Sequence, residues 1–416
     1  MNETVQVAQV AGTVPAPVAS VALLSASEEA LQLASFAAVR RIKAPSPRSD
    51  ALLQKGPPPP PDQRDPFLTE NEDPRPVSHI PAAWANGRYV RKGLLAKGGQ
   101  GVLALALDTV SGALVAVKAL FWTTRDLRDP AAASRRNLAA QRRTAGILAS
   151  IARTTSGVPV LIDLFQQPSP TLIAADKPVK TIDECFETFL VMRFYGRGGS
   201  DRQEAAATLG SVLAGGKRLS AEMTLEVGAQ LAATLAGMQR RLVASKAKRR
   251  MVNTYWVHGD LKPANILVLP AVPQFLIIDF DSAKRVEDTG RRVGPMTITP
   301  GYAPPTWTLT GTEWADREPL SARWDIHCLG ATLFECATGE NPRWAVEQLQ
   351  DPRPGRAEVL AKVRAATGAP MLARIIVDAM TPDPEFRIGS ADALARELGR
   401  ARRAHDSRAA WKAADG

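Results

Sequence analysis

Cysteine is scarce in this 416-residue chain, and the three present, Cys185, Cys328 and Cys336, show neither paired nor metal-ligand spacing. That excludes a disulfide scaffold and a thiolate zinc module, and it predicts reduced, buried thiols in a reducing, cytoplasmic compartment. Long apolar runs are missing too: no stretch reaches about 18 consecutive apolar residues, so no membrane span is expected. The first cationic side chain is Arg40, and without a basic region ahead of an apolar core a secretory signal is not expected. Carboxylates are absent from one whole interval, between Asp129 and Asp163, which instead carries Arg135, Arg136, Arg142, Arg143 and Arg153. No module interleaves aromatic with basic residues, so specific nucleic-acid binding is not expected.

What is present begins with a leader of distinct composition. Eleven prolines fall between Pro45 and Pro81, including the run Pro57 to Pro61, among charges and without a sustained apolar period. Such a segment cannot bury enough apolar surface to offset its ordering entropy, and residues 1–84 are expected to be a disordered, partly polyproline-extended leader. The rest of the chain has the means for a core, with 45% hydrophobic residues overall. Val102, Ala104 and Ala106 alternate with Leu103, Leu105 and Leu107, which predicts buried strands. A helix is expected over Ala131 to Ile151, a strand over Val160 to Phe165 and another over Phe189 to Met192. From Val227 the period turns helical, with Leu231, Leu235, Met238 and Leu242 on one stripe.

The charge of +10 is unevenly placed. Besides the arginines after Asp129, the stretch from Val227 to Gly259 holds Arg240, Arg241, Lys246, Lys248, Arg249 and Arg250 and no acid. Solvated faces account for such clusters, and docking of an acidic substrate or partner is the functional alternative.

Chemistry concentrates in His258-Gly259-Asp260-Leu261-Lys262-Pro263-Ala264-Asn265 and Ile278-Asp279-Phe280-Asp281. Two carboxylates and a carboxamide on neighbouring segments suit phosphoryl transfer from a metal-bound nucleotide, because hard cations want oxygen ligands and the acceptor hydroxyl needs a base held apart from them. These runs resemble the H-R-D-L-K-P-x-N and D-F-G motifs of the eukaryotic-like (Hanks-type) serine/threonine protein kinases. The resemblance continues through the glycine loop Leu95 to Leu103, the strand Val115-Ala116-Val117-Lys118, the segment Thr299-Pro300-Gly301-Tyr302-Ala303-Pro304-Pro305, the run from Asp325 to Gly330, and Arg387. An alanine- and arginine-rich style points to a bacterial source.

The resemblance implies an α+β, two-lobed kinase fold over residues 85–400: a small β-rich lobe over about 85–192, a larger helical lobe over about 196–400, and a basic tail over 401–416. It implies ATP and Mg2+ (or Mn2+) as cofactors and a protein substrate with a serine or threonine acceptor. Asp260 would be the base and Lys262 its catalytic partner. Asn265 and Asp279 would hold metal. Lys97, Gly98, Gly99, Gly101, Leu103, Ala116, Lys118, Met192 and Phe194 would bind nucleotide, with the backbone of Arg193, Phe194 and Tyr195 near the adenine. Thr299, Asp325 and Arg387 would be structural or regulatory, Asp325 by tying down the catalytic-loop backbone.

Departures from the pattern are as specific. No helix glutamate is available to pair with Lys118, and Gln141 or Thr144, nearest its place, would offer a neutral contact only. Ala96 replaces the first loop glycine and Gly259 the arginine before the catalytic aspartate. Asp281 stands for the glycine of D-F-G and is expected to restrict the backbone there. Thr306 replaces the usual partner of Arg387, which is left to find another acceptor or solvent. Three readings remain open from these residues: an active serine/threonine kinase, a nucleotide-binding pseudokinase or scaffold, and a kinase-fold small-molecule phosphotransferase. Lys262 and the Thr299 segment argue against the third.

Overall fold

The computed structural model describes residues 40–41, 77–98, 101–176, 185–198, 203–240, 254–270, 274–287, 299–305, 320–351 and 353–414. Gly99, Leu242, Thr306 and the basic run from Arg241 to Arg250 lie outside them.

Seven strands form one sheet: β1 (Arg40–Arg41), β2 (Ala83–Trp84), β3 (Tyr89–Lys97), β4 (Gly101–Asp108), β5 (Leu114–Leu120), β6 (Leu161–Pro168) and β7 (Phe186–Arg193), in the order β1-β6-β7-β5-β4-β3-β2. All neighbours are antiparallel except β1 and β6. The alternation read from the sequence decides the faces. Val102, Ala104, Ala106, Val115, Val117, Phe189 and Val191 bury one face in a core of its own. There Tyr89, Phe165 and Phe189 stack at centroid spacings of 5.7 and 5.4 Å. The opposite face turns toward helix α1 (Pro130–Ile151), through Leu164 and Leu190 against Ile147, Leu148 and Ile151. Asp129 caps α1 by accepting from the Ala132 N–H, and Pro130 occupies the first turn, where its missing N–H costs nothing.

The leader does not end at residue 84. Ile80 and Trp84 are buried in the sheet core, the Val77 N–H donates to the Trp122 carbonyl at 2.8 Å, and the Ser78 hydroxyl is hydrogen-bonded to the Trp122 N–H. Arg40–Arg41 adds a strand to the β6 edge, with Arg40 paired to Asp163 at 3.0 Å. Packing thus reaches into the proline-rich segment because two large apolar side chains there find the open side of the sheet.

The second core is helical. Short α2 (Pro170–Ala174) and α3 (Leu209–Leu213) precede α4 (Ala221–Met238), α5 (Ala322–Thr338), α6 (Arg343–Gln348), α7 (Pro354–Thr367), α8 (Pro370–Ala379) and α9 (Ala391–Ala414). The stripe Val227, Leu231, Leu235 and Met238 of α4 is fully inside. Helix α5 is buried on nearly every side, as its composition predicts, and Ser321 rather than Asp325 stands at its N-cap position. Helix α9 crosses the boundary expected at residue 400 without a break, because Leu394, Leu398 and Ala401 continue one buried stripe. Among the described residues no helix is long and apolar enough to cross a membrane. All three cysteines are buried and none is in a disulfide.

Candidate active site

Two small antiparallel ladders fix the central loop. Strand β8 (Thr254–Val257) pairs with β11 (Lys284–Glu287), and β9 (Ile266–Val268) pairs with β10 (Phe275–Ile277) in the register Ile266 opposite Ile277. The Ile278 N–H then donates to the Asn265 carbonyl at 2.9 Å. Hairpin register therefore carries Asn265 and Asp279, the expected metal pair, to adjacent places.

Asp260 is the hub. Lys262 Nζ approaches one carboxylate oxygen at 2.8 Å, and the Thr299 hydroxyl donates to the other at 2.7 Å. Lys262 also donates to Thr299 at 2.7 Å, which closes a triangle. The Asn265 carboxamide nitrogen donates to the Asp260 carbonyl at 2.9 Å, so its oxygen faces away from that bond. His258 braces the same residue: its Nδ1 accepts from the Asp260 N–H at 3.3 Å, and its Nε2 donates to the Ile278 carbonyl at 3.0 Å, which fixes a neutral tautomer. Phe280, buried, packs its ring edge-on against His258.

Asp325 ties this loop to α5. It is fully buried and accepts from the His258 N–H at 2.8 Å and the Gly259 N–H at 3.0 Å. Burial pushes its carboxyl above the usual range, against the lowering effect of those two N–H bonds. Trp324 Nε1 donates to the Gly259 carbonyl at 3.1 Å, completing the clamp. The clamp explains Gly259. Its φ is +83°, a left-handed conformation that glycine adopts without cost and an arginine would not.

The segment after Thr299 is held to α5 as well. Tyr302 donates its hydroxyl to Glu335, and His327 Nδ1 lies 3.1 Å from the Tyr302 carbonyl. Burial, with Arg387 nearby, pushes His327 down to about 3, so it stays neutral. Arg387 found backbone acceptors instead of a glutamate: its guanidinium donates to the carbonyls of Thr381, Pro382 and Arg323 at 2.8, 2.7 and 3.0 Å.

The expected nucleotide residues are gathered by strand register. Leu103 sits opposite Lys118, Ala116 opposite Met192, and Lys118 opposite Leu190, so Leu103, Ala116, Lys118 and Met192 share the sheet face turned away from the sheet's own core. Phe194 follows β7, half-buried and outside this register. The Arg193 N–H donates to the Val160 carbonyl and the Tyr195 carbonyl accepts from the Ala206 N–H. In the glycine loop the Gly98 N–H closes onto the Gly101 carbonyl at 2.9 Å, and Lys97 lies over the Phe121 ring at 5.9 Å. Gly101 is required sterically, since a Cβ there would stand 2.2 Å from the Ala119 carbonyl oxygen.

Lys118 departs most from expectation. Its Nζ lies 2.7 Å from Asp281 and 3.2 Å from Asp279. Burial opposes its charge, but the two carboxylates outweigh that and hold it above its ordinary value. Asp279 is held below its ordinary range, where burial would raise it, by the same lysine. Gln141 reaches only the Lys118 carbonyl, at 3.3 Å, and the Thr144 hydroxyl lies 3.4 Å from Asp281. Asp281 itself sits in a 3-10 turn (Phe280–Ser282), and the left-handed backbone falls on Asp279, φ +65°. The restriction expected at Asp281 is therefore absent, because position 281 has no need of a positive φ.

The Asp260 carboxylate is thus clamped between a lysine and a threonine, beside a second carboxylate and a carboxamide. Residues 249–397 match the family model described as protein kinase domain. Among curated proteins, a probable serine/threonine-protein kinase of Streptomyces coelicolor is 27% identical over 315 residues, which is 74% of this chain and 39% of that protein. Serine/threonine-protein kinase C of Synechocystis is 31% identical over 148 residues, 34% of this chain and 25% of its own length. Serine/threonine-protein kinase PknB of Mycobacterium tuberculosis is 34% identical over 86 residues, 21% of this chain and 13% of its own length. Over part of its length the chain is thus similar to bacterial serine/threonine-protein kinases, and it spans 39% or less of the length of these three. The family match covers the Asp260 loop, Asp279, Thr299, Asp325 and Arg387, and stops short of the sheet that carries Lys118.

Proposed function

We propose that this chain transfers the γ-phosphate of ATP to serine or threonine hydroxyls of a protein substrate. The observation that carries the reading is the triangle of Asp260, Lys262 and Thr299, with contacts of 2.7 to 2.8 Å. Asp260 orients the acceptor hydroxyl and takes its proton, Lys262 offsets charge developing beside it, and Thr299 holds both in place. The donor set fits a magnesium ion: the carboxylate of Asp279 and the carboxamide oxygen of Asn265 are hard ligands, and Asp279 engages Lys118 through one oxygen only. When bound, the metal supplies neutralisation of phosphate charge. Lys118 presents an ammonium to the phosphates from the sheet face that Leu103, Ala116 and Met192 line for the base, under the loop at Gly98, Gly99 and Gly101.

In this reading the sheet and the helical core form the two lobes of a kinase domain, extended at its start to residue 77 by Ile80 and Trp84. A reducing, cytoplasmic setting goes with it, supported by three buried cysteines of which none is in a disulfide. An acidic partner on α1 belongs to the same proposal: Arg135 and Arg143 are exposed there, while Arg136 is engaged by Asp126. The scaffold alternative draws on the missing helix glutamate and on Thr306; the two carboxylates beside Lys118 weigh against the first of these. Incubation of the full chain with labelled ATP, magnesium and a generic basic protein acceptor tests the reading. Label on serine or threonine supports it, and label on neither acceptor nor enzyme counts against it.

A further inference from the structure

Helix α1 offers Lys118 no carboxylate anywhere along residues 130–151, yet Lys118 is not without an anion. Its shorter contact, 2.7 Å, is to Asp281, and these two side chains are similarly sheltered, at 17% and 18% exposure. Its contact to Asp279 is longer, 3.2 Å, and Asp279 is 46% exposed. Asp281 is well anchored for the task. It lies in the 3-10 turn whose Ala283 N–H closes on the Phe280 carbonyl, Phe280 is buried, and the Thr144 hydroxyl of α1 reaches the carboxylate oxygen that Lys118 does not use.

We propose that Asp281 is a positioning residue for Lys118: it takes over the ion pair that the resemblance places on the helix, and it keeps Lys118 from settling on Asp279. The proposal rests on the nucleotide-binding part of the reading above. The logic is competition between two carboxylates for one ammonium. With Asp281 neutral or absent, Asp279 is the one carboxylate left within ion-pair reach of Lys118 among the described residues, and a lysine drawn fully onto it competes with the cation that Asp279 would hold. Loss of Asp281 therefore weakens nucleotide binding and raises the magnesium concentration needed to support it, a pairing of effects that simple loss of packing does not produce. Thr144, aimed at the same carboxylate from α1, marks where a helix glutamate could replace it.

The test uses the full chain and direct titration of a fluorescent ATP analogue at several magnesium concentrations, with melting temperature alongside. Asp281→Asn keeps the shape and removes the charge; Asp281→Gly restores the residue usual in D-F-G. Each should weaken Mg-ATP binding about 10- to 100-fold, the scale of one charge-assisted hydrogen bond, and shift the magnesium midpoint upward. Adding Thr144→Glu to Asp281→Gly should recover at least about tenfold of that loss. Affinity within about twofold of wild type in Asp281→Asn, tighter binding, or weakened binding with an unmoved magnesium midpoint and no rescue each overturns the proposal. If Asp281→Gly does not fold, the isosteric Asp281→Asn still decides it. Because binding is read without turnover, a wild-type chain that binds Mg-ATP but transfers nothing would refute the phosphotransfer reading and leave this one standing.

Discussion

Replacing Asp325 probes how the catalytic loop is held. In Asp325→Ala the N–H groups of His258 and Gly259 lose their acceptors at 2.8 and 3.0 Å inside a fully buried environment. Each unsatisfied buried donor costs about 1 to 3 kcal/mol, so the gross loss is about 2 to 6 kcal/mol. Relief of the buried carboxylate's desolvation offsets part of it, leaving a net loss of about 1 to 4 kcal/mol, a large share of the ~5–15 kcal/mol typical of a domain. The sign of the pH dependence is fixed too. Burial raises the folded-state pKa of Asp325 above the ordinary 3.8, so its favourable contribution is complete below that value and is lost as pH rises through the folded value. Urea unfolding of wild type and Asp325→Asn across pH should show a stability gap that narrows as pH rises above 3.8. A gap that widens with pH would show that the two N–H bonds overcompensate burial, and a loss under about 0.5 kcal/mol in Asp325→Ala would mean that the loop is not held by this residue.

Of the described residues, deleting 1–76 removes the two-residue β1 and the pair of Arg40 with Asp163, worth about 0 to 1 kcal/mol, and the melting temperature should barely move. Deleting 1–84 also removes buried Ile80 and Trp84, at a cost of about 1.5 to 3 kcal/mol for the first and 3 to 5 for the second; differential scanning calorimetry should register a clear drop, and equal melting temperatures for the two deletions would refute the extended boundary. Thr299→Ala breaks two sides of the Asp260 triangle and should lower transfer about tenfold or more, the effect of one or two charge-assisted hydrogen bonds, with Mg-ATP affinity unchanged in the same titration; full activity would sink the positioning role of Thr299.

The sheet and helices were largely legible because period-2 alternation in β4 and β5 and the stripe on α4 are each set by a single buried face. Asp260, Lys262, Asn265, Asp279 and Thr299 were legible as a spaced pattern, and the hairpin registers bring them together. Pairings that cross between elements were not. Nothing local tells that Asp281 reaches Lys118, although an acid gained at 281 beside a helix without acids was a usable signal. The positive φ at Gly259 was missed for the same reason: it goes with the Asp325 and Trp324 clamp, which joins positions far apart in sequence. Composition likewise hid Ile80 and Trp84, two large apolar residues at the end of a proline-rich stretch. Their burial depends on the open side of the sheet.

Comparison of wild type with Asp260→Asn, measuring transfer of label from ATP to serine or threonine and Mg-ATP affinity on the same preparations, addresses the central claim most directly. The Asp260 carboxylate contacts Lys262 and Thr299 closely and the Asn265 nitrogen only at 3.5 Å, while Lys118 pairs with Asp279 and Asp281, so the substitution should reduce transfer by at least about 100-fold, the scale of general-base catalysis, while affinity stays within about threefold. Transfer by Asp260→Asn at the wild-type rate would contradict the assignment of Asp260 as the base and the reading built on it.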